Sequence, residues 1–208
     1  MIKAFLFDYD GVITAGVPDR TASGRLAKNL NISKDTAAEW LSDIIPELLT
    51  GKMTDSQAHT LLEEKYGQPI SSEQGDIWFK WPELMPLPEM TKLLQSLKAR
   101  GYVLGLISNA SASTKAEIMQ HDGYAGFDFT VLSCDAGYKK PGLEIFQVAL
   151  QNLPGIKPEE VVFLDDREAA TLAAAQLGMQ TIYVVDHQQA IRTVEDQLIY
   201  QSHLICYF

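Results

Sequence analysis

The chain has 208 residues, 46% of them hydrophobic and 21% charged, a balance that excludes a disordered chain and supplies apolar area for one sizeable core. Its 27 acidic and 17 basic residues give a formal net charge of −10, which repels nucleic acid and anionic lipid, and no basic patch offsets it. No apolar run reaches the ~18 residues of a membrane span, so neither nucleic acid nor membrane is expected as a partner.

Cys134 and Cys206 form neither a metal-ligand spacing nor a disulfide framework, which suits a reducing compartment. The apolar start is broken by Asp8 and Asp10 before it reaches signal-sequence length, and a cytoplasmic protein is expected.

The first apolar run, residues 4–7, ends at two aspartates and Gly11 and reads as a buried strand stopping at a turn. About ninety residues then pass before the next strand, where a crossover of a dozen or more suffices. Residues 15–86 show helical periodicity broken at Gly51, Gly67 and Pro69, which predicts an inserted subdomain of about four short helices. Its return leg carries Pro82, Pro86 and Pro88 and is expected to be semi-rigid. A helix over 89–100 leads to a strand over 102–107 that stops at Ser108 and Asn109. Next come a helix over 114–121, a strand over 127–132 and a loop holding Lys139, Lys140 and Pro141. After a helix over 143–151, the strand 161–164 stops at Asp165 and Asp166. A helix over 168–177, a strand over 181–185 and a C-terminal helix complete the chain. This alternation predicts an α/β fold, a Rossmann-like parallel sheet covered on both faces and built from residues 1–14 and 87–208. Ligands of such sheets gather at the carboxyl ends of the strands, where each polar cluster falls.

Asp8 and Asp10 suit either a plain Asp-Gly turn or a pair of working carboxylates. Asp165 and Asp166 suit either a cap for the following helix or a second acidic pair. If they converge, unpaired charges cost several kcal/mol each unless a cation neutralises them. Oxygen ligands without His or Cys then point to Mg²⁺ rather than zinc. Ser108 and Asn109 offer neutral groups for phosphoryl oxygens, or a helix cap. Lys140, fixed by the following Pro141, offers a positive charge; Lys139 competes with it, and spacing to the proline alone favours Lys140.

Taken in order, these segments resemble the four motifs of the haloacid dehalogenase-like (HAD) hydrolase superfamily, in its helical-cap phosphatase branch. The first motif, an apolar strand followed by D-x-D-G-[TV], is matched by Phe5-Leu6-Phe7-Asp8-Tyr9-Asp10-Gly11-Val12. The second resembles Leu106-Ile107-Ser108-Asn109, the third Tyr138-Lys139-Lys140-Pro141-Gly142, and the fourth Val162-Phe163-Leu164-Asp165-Asp166. The resemblance implies that Asp8 is the nucleophile of an aspartyl-phosphate intermediate and Asp10 the general acid and base. It implies Mg²⁺ held by an Asp8 side-chain oxygen, the Asp10 main-chain carbonyl and Asp166, with Asp165 in support. Ser108, Asn109 and Lys140 would bind the transferring oxygens of a small phosphorylated substrate. Asp10 favours phosphoryl chemistry over carbon–halogen cleavage, because the dehalogenase branch carries no acid there.

Within the insertion, Leu49-Thr50-Gly51-Lys52 resembles a common cap turn. Arg20, Arg25 and Lys52 are candidate anion contacts that read first as solvated charges. Trp78 and Trp81 suit a substrate pocket or, more simply, packing at the cap base. A phosphomutase would use the same nucleophile and is the nearest alternative. A non-catalytic phospho-receiver would gather similar residues, but its acidic pair comes early and its lysine late, whereas here Asp165 and Asp166 follow Lys140.

Overall fold

The computed structural model describes residues 1–15, 22–67, 85–120 and 124–205. Five parallel strands, β1 (Ala4–Phe7), β2 (Val103–Ser108), β3 (Phe129–Leu132), β4 (Val161–Asp165) and β5 (Gln180–Tyr183), form one sheet in the order β3-β2-β1-β4-β5. The α/β expectation therefore holds. The chain lays β2 and β3 on one side of β1, then crosses to add β4 and β5 on the other. Strand order thus reverses between β1 and β4, and a crevice opens at their carboxyl ends. Phe7 pairs with Leu106 on one side and Leu164 on the other. One residue further, Asp8 and Asp165 emerge side by side.

Burial on both faces explains why the central strands read as unbroken apolar runs. Phe5 and Phe7 enter one core with α5 (Pro88–Ala99), α6 (Ala112–Gln120) and α10 (His187–Ile205), through Met90, Leu97, Ile118 and Val194. Ala4 and Leu6 enter the other with α8 (Leu143–Gln151) and α9 (Glu168–Gln176), through Phe146, Ala149, Ala170 and Ala174. A central strand filled on both faces gives the residue that follows it, Asp8, a rigid mount.

Among the described residues, four helices lie between β1 and α5: α1 (Ala22–Leu30), α2 (Lys34–Leu41), α3 (Ile44–Leu49) and α4 (Asp55–Tyr66). They share a core of their own around Leu26, Leu41, Ile44, Leu48 and Leu62. Their starts are written locally: Ser33 Oγ accepts from the Thr36 N–H, and Thr54 with Gln57 forms a capping box. Thr14 bridges Pro86, and the Leu87 N–H bonds the Ile13 carbonyl at 2.8 Å, so outgoing and returning segments are pinned together. Among the described residues no helix is long and apolar enough to cross a membrane.

Most strand and helix ends shift by one or two residues from expectation, β3 for instance beginning at Phe129 and not at 127. A one-turn helix, α7 (Ser133–Ala136), occupies the start of the loop expected after β3. Helix α6 begins two residues early because Ser111 Oγ accepts from the Thr114 N–H. Strand β5 begins at Gln180, one residue earlier than expected, and its last bond runs from the Val184 N–H to the Asp165 carbonyl. Arg20, Pro69, Trp78, Trp81, Pro82 and Cys206 lie outside the described residues, as does the Arg25 side chain.

Candidate active site

Asp8 is buried at the end of β1, where its N–H bonds the Leu164 carbonyl of β4 at 2.8 Å. Its carboxylate accepts from the Tyr9 N–H at 2.7 Å and pairs with Lys140 Nζ at 2.8 Å, both on Oδ1. Lys140 also reaches Asp165 Oδ2, at 2.6 Å. A single buried ammonium thus bridges the acidic ends of two adjacent strands. The structure selects Lys140 over Lys139 and shows how it is held. Asn109 Oδ1 accepts from the Lys140 N–H at 2.8 Å, while Asn109 Nδ2 donates to the Lys140 carbonyl at 2.9 Å. The ammonium also lies 5.5 Å from the centre of the Phe163 ring.

Asp165, fully buried, has both oxygens engaged, one by Lys140 and the other by the Arg167 N–H at 2.8 Å. Asp166 differs, because its Oδ1 is buried and has no hydrogen-bond partner. Gly11 makes room for it: at φ +83° the backbone adopts a conformation disfavoured for other residues, and a Cβ there would collide with the Asp166 carboxylate. The glycine of the first motif is thus required by the aspartate of the fourth.

One oxygen from each of Asp8, Asp165 and Asp166 lies within 4.8 Å of the others. Burial, reinforced by the charges of Asp165 and Asp166 and opposed by Lys140, pushes the Asp8 carboxyl up to about 7. Burial and then the Asp165 charge also raise Asp166. The trio carries more negative charge than Lys140 cancels, and an orphaned carboxylate oxygen faces it. An all-oxygen set of this kind fits a hard divalent cation.

Asp10 stands beside this cluster, half-buried, and its Oδ1 accepts from Thr14 Oγ1 at 3.2 Å. Its side chain is not in the trio. Ser108, buried, ends β2, the strand that pairs with β1. Asn109 meets the Lys140 backbone with both ends of its amide. Lys52 is exposed with its nearest carboxylate, Glu47, at 4.0 Å, a solvated charge. Sequence reasoning passed over Thr14, although its spacing of four from Asp10 across a turn was a usable signal. It also passed over Ser133, whose buried hydroxyl ties down both the N–H and the carbonyl of Ala110 after the second motif.

The family model for haloacid dehalogenase-like hydrolase matches residues 2–178. The chain is 30% identical over 201 residues to a protein named glyceraldehyde 3-phosphate phosphatase from Methanothermobacter thermautotrophicus, covering 88% of this chain and 86% of that one. It is 31% identical over 198 residues to the protein of that name from Methanocaldococcus jannaschii, covering 89% and 86%. Among solved structures, a HAD family enzyme from Bacteroides thetaiotaomicron in complex with magnesium and inorganic phosphate superposes with a TM-score of 0.72 at 25% identity, covering 88% of this chain and 93% of that one. The match runs through all four segments that build the acidic crevice, and the chain belongs to the haloacid dehalogenase-like hydrolase family.

Proposed function

We propose that the chain is a Mg²⁺-dependent phosphomonoester hydrolase that acts on a small phosphorylated metabolite through an aspartyl phosphate on Asp8. The observation that carries this reading is the buried Asp8–Lys140–Asp165 bridge, with half-buried Asp166 grouped beside it, at the strand-order reversal. The similarity to proteins named as phosphatases, and to a structure holding magnesium and phosphate, supports it. The name of the two archaeal relatives supports a substrate of small size.

Asp8 and Asp166 side chains and the Asp10 main-chain carbonyl would hold the cation, with Asp165 supporting from behind because its oxygens are already engaged. Bound there, Mg²⁺ supplies countercharge for the carboxylates and for the phosphoryl oxygens. Asp8 attacks phosphorus through Oδ2, the oxygen that neither Lys140 nor the Tyr9 N–H engages. The phosphorus–oxygen bond of the ester breaks as Asp10 donates its proton to the leaving alkoxide. Asp10, now ionised, takes a proton from a water that attacks the same phosphorus, freeing Asp8 and releasing inorganic phosphate. Ser108 and the Lys140 ammonium bind the transferring oxygens, and Asn109 keeps Lys140 in place. Residues 15–86 act as a helical cap on a core of residues 1–14 and 87–208, excluding water and selecting substrate. A cytoplasmic setting accords with the free thiol of Cys134.

The test is hydrolysis of 4-nitrophenyl phosphate with and without Mg²⁺, with release of inorganic phosphate separating a hydrolase from a mutase. Activity should need the metal, and Asp8→Asn should lower kcat by at least ~10³-fold, as loss of a covalent nucleophile does. Unchanged turnover in that variant removes Asp8 from the role.

A further inference from the structure

Thr14 belongs to none of the four motifs, yet it is fully buried and tied at each of its polar atoms. Its hydroxyl donates to Asp10 Oδ1 at 3.2 Å and accepts from the Gly11 N–H at 3.4 Å. Its N–H bonds the Tyr9 carbonyl at 3.1 Å, and its carbonyl meets His187 Nε2 at 3.1 Å. A carbonyl only accepts, so Nε2 of His187 carries a proton in this contact. His187 opens α10, 173 residues further along the chain. Thr14 is also half of the bridge to Pro86, where the chain returns from the helical insertion.

The arrangement has a chemical consequence for Asp10. A half-exposed aspartate samples several rotamers, and a hydroxyl donated to Oδ1 selects among them. The carbonyl oxygen of a protonated acid is the better acceptor, so a hydroxyl donated to Oδ1 favours the form with the transferable proton on Oδ2. Misplacement of a reacting group by about 1 Å can cost 10²-fold in rate. Long hydrogen bonds of this kind in a free enzyme tighten in the reacting complex.

We infer that Thr14 is the positioning residue of Asp10 and that His187 holds Thr14, which gives the C-terminal helix a part in proton transfer. The inference rests on the acid and base role proposed for Asp10. It is tested by kcat/KM on two esters, because that ratio reports events up to departure of the leaving group. An alkyl ester such as glycerol phosphate needs a proton on its leaving oxygen, whereas 4-nitrophenyl phosphate needs little help. Thr14→Val should lose about 10- to 100-fold on the alkyl ester and little on the aryl ester. Thr14→Ser, which keeps the hydroxyl, should restore the alkyl ester rate. His187→Ala should show the same asymmetry, and His187→Gln, whose amide still donates, should reduce it. Equal losses on both esters, or none, in Thr14→Val would overturn the inference if Asp10→Asn itself shows the asymmetry. Absence of asymmetry in Asp10→Asn overturns instead the acid role on which the inference stands.

Discussion

Lys140 is caught between two carboxylates, and its ammonium is almost wholly removed from water. Removing one partner of such a buried set leaves charges uncompensated, at about 3–5 kcal/mol. Lys140→Met should destabilise the metal-free protein by about 3 kcal/mol, with part of the loss recovered in Mg²⁺. Urea unfolding with EDTA and with Mg²⁺ measures both, and unfolding identical to the parent would show that the bridge contributes nothing. A second consequence concerns pH. The Asp8 carboxyl is raised by burial from 3.8 to about 7, so its protonated form is the one that folding favours. Its contribution to stability is full below the ordinary value and is lost as pH rises through about 7. Cation binding requires the ionised form, so Mg²⁺ should raise Tm more at pH 8 than at pH 5, and equal shifts would contradict the raised pKa. Spacing to Pro141 was the one sequence ground for choosing Lys140 over Lys139, because the Asn109 clamp that holds the Lys140 backbone spans 31 residues. Asp8 and Asp165 were legible, since each follows an apolar run directly, and Asp166 as the residue after Asp165.

Among elements, the docking of the helical insertion on the sheet core shows how a turn acts at a distance. Gly51, at φ +69°, closes the turn after α3, and a Cβ there would collide with the Cys134 carbonyl of α7. A second tie, from Ser113 Oγ to Asp55 Oδ1 at 2.9 Å, joins α6 to α4. Gly51→Ala should strain the turn by about 1 kcal/mol and push it off α7. Hydrogen exchange should then quicken at 49–53 and 133–137 while β1 and β4 keep their protection, and KM should rise. Unaltered exchange at both segments would show that the contact does not hold the layers together. Strand positions were legible to within a residue or two because burial on both faces leaves a plain apolar signature. The start of α6 was less so, since it turns on a single Ser111 hydroxyl, and α7 is too short to show a period. The apposition of Gly51 and Cys134 had no signature in sequence, because neither residue's type announces the other.

Across the whole molecule, a chain of net charge −10 is proposed to bind an anion, which is workable only where countercharge is concentrated. The fold supplies it by setting the Lys140 ammonium between Asp8 and Asp165, beside Asp166, where these carboxylates would also hold the proposed Mg²⁺ at the order reversal between β1 and β4. That convergence could be expected from the motif order and Thr14 from its spacing to Asp10, while the contact of His187 with Thr14 spans 173 residues and has no signature in sequence. Rapid quench of the enzyme during turnover of a ³²P-labelled phosphate ester, followed by peptide mapping, tests the central claim most directly. The account predicts a transient phosphoryl group on the side chain of Asp8 that forms only with Mg²⁺. Label on another residue, or steady turnover with no covalent species in any quench, would contradict it.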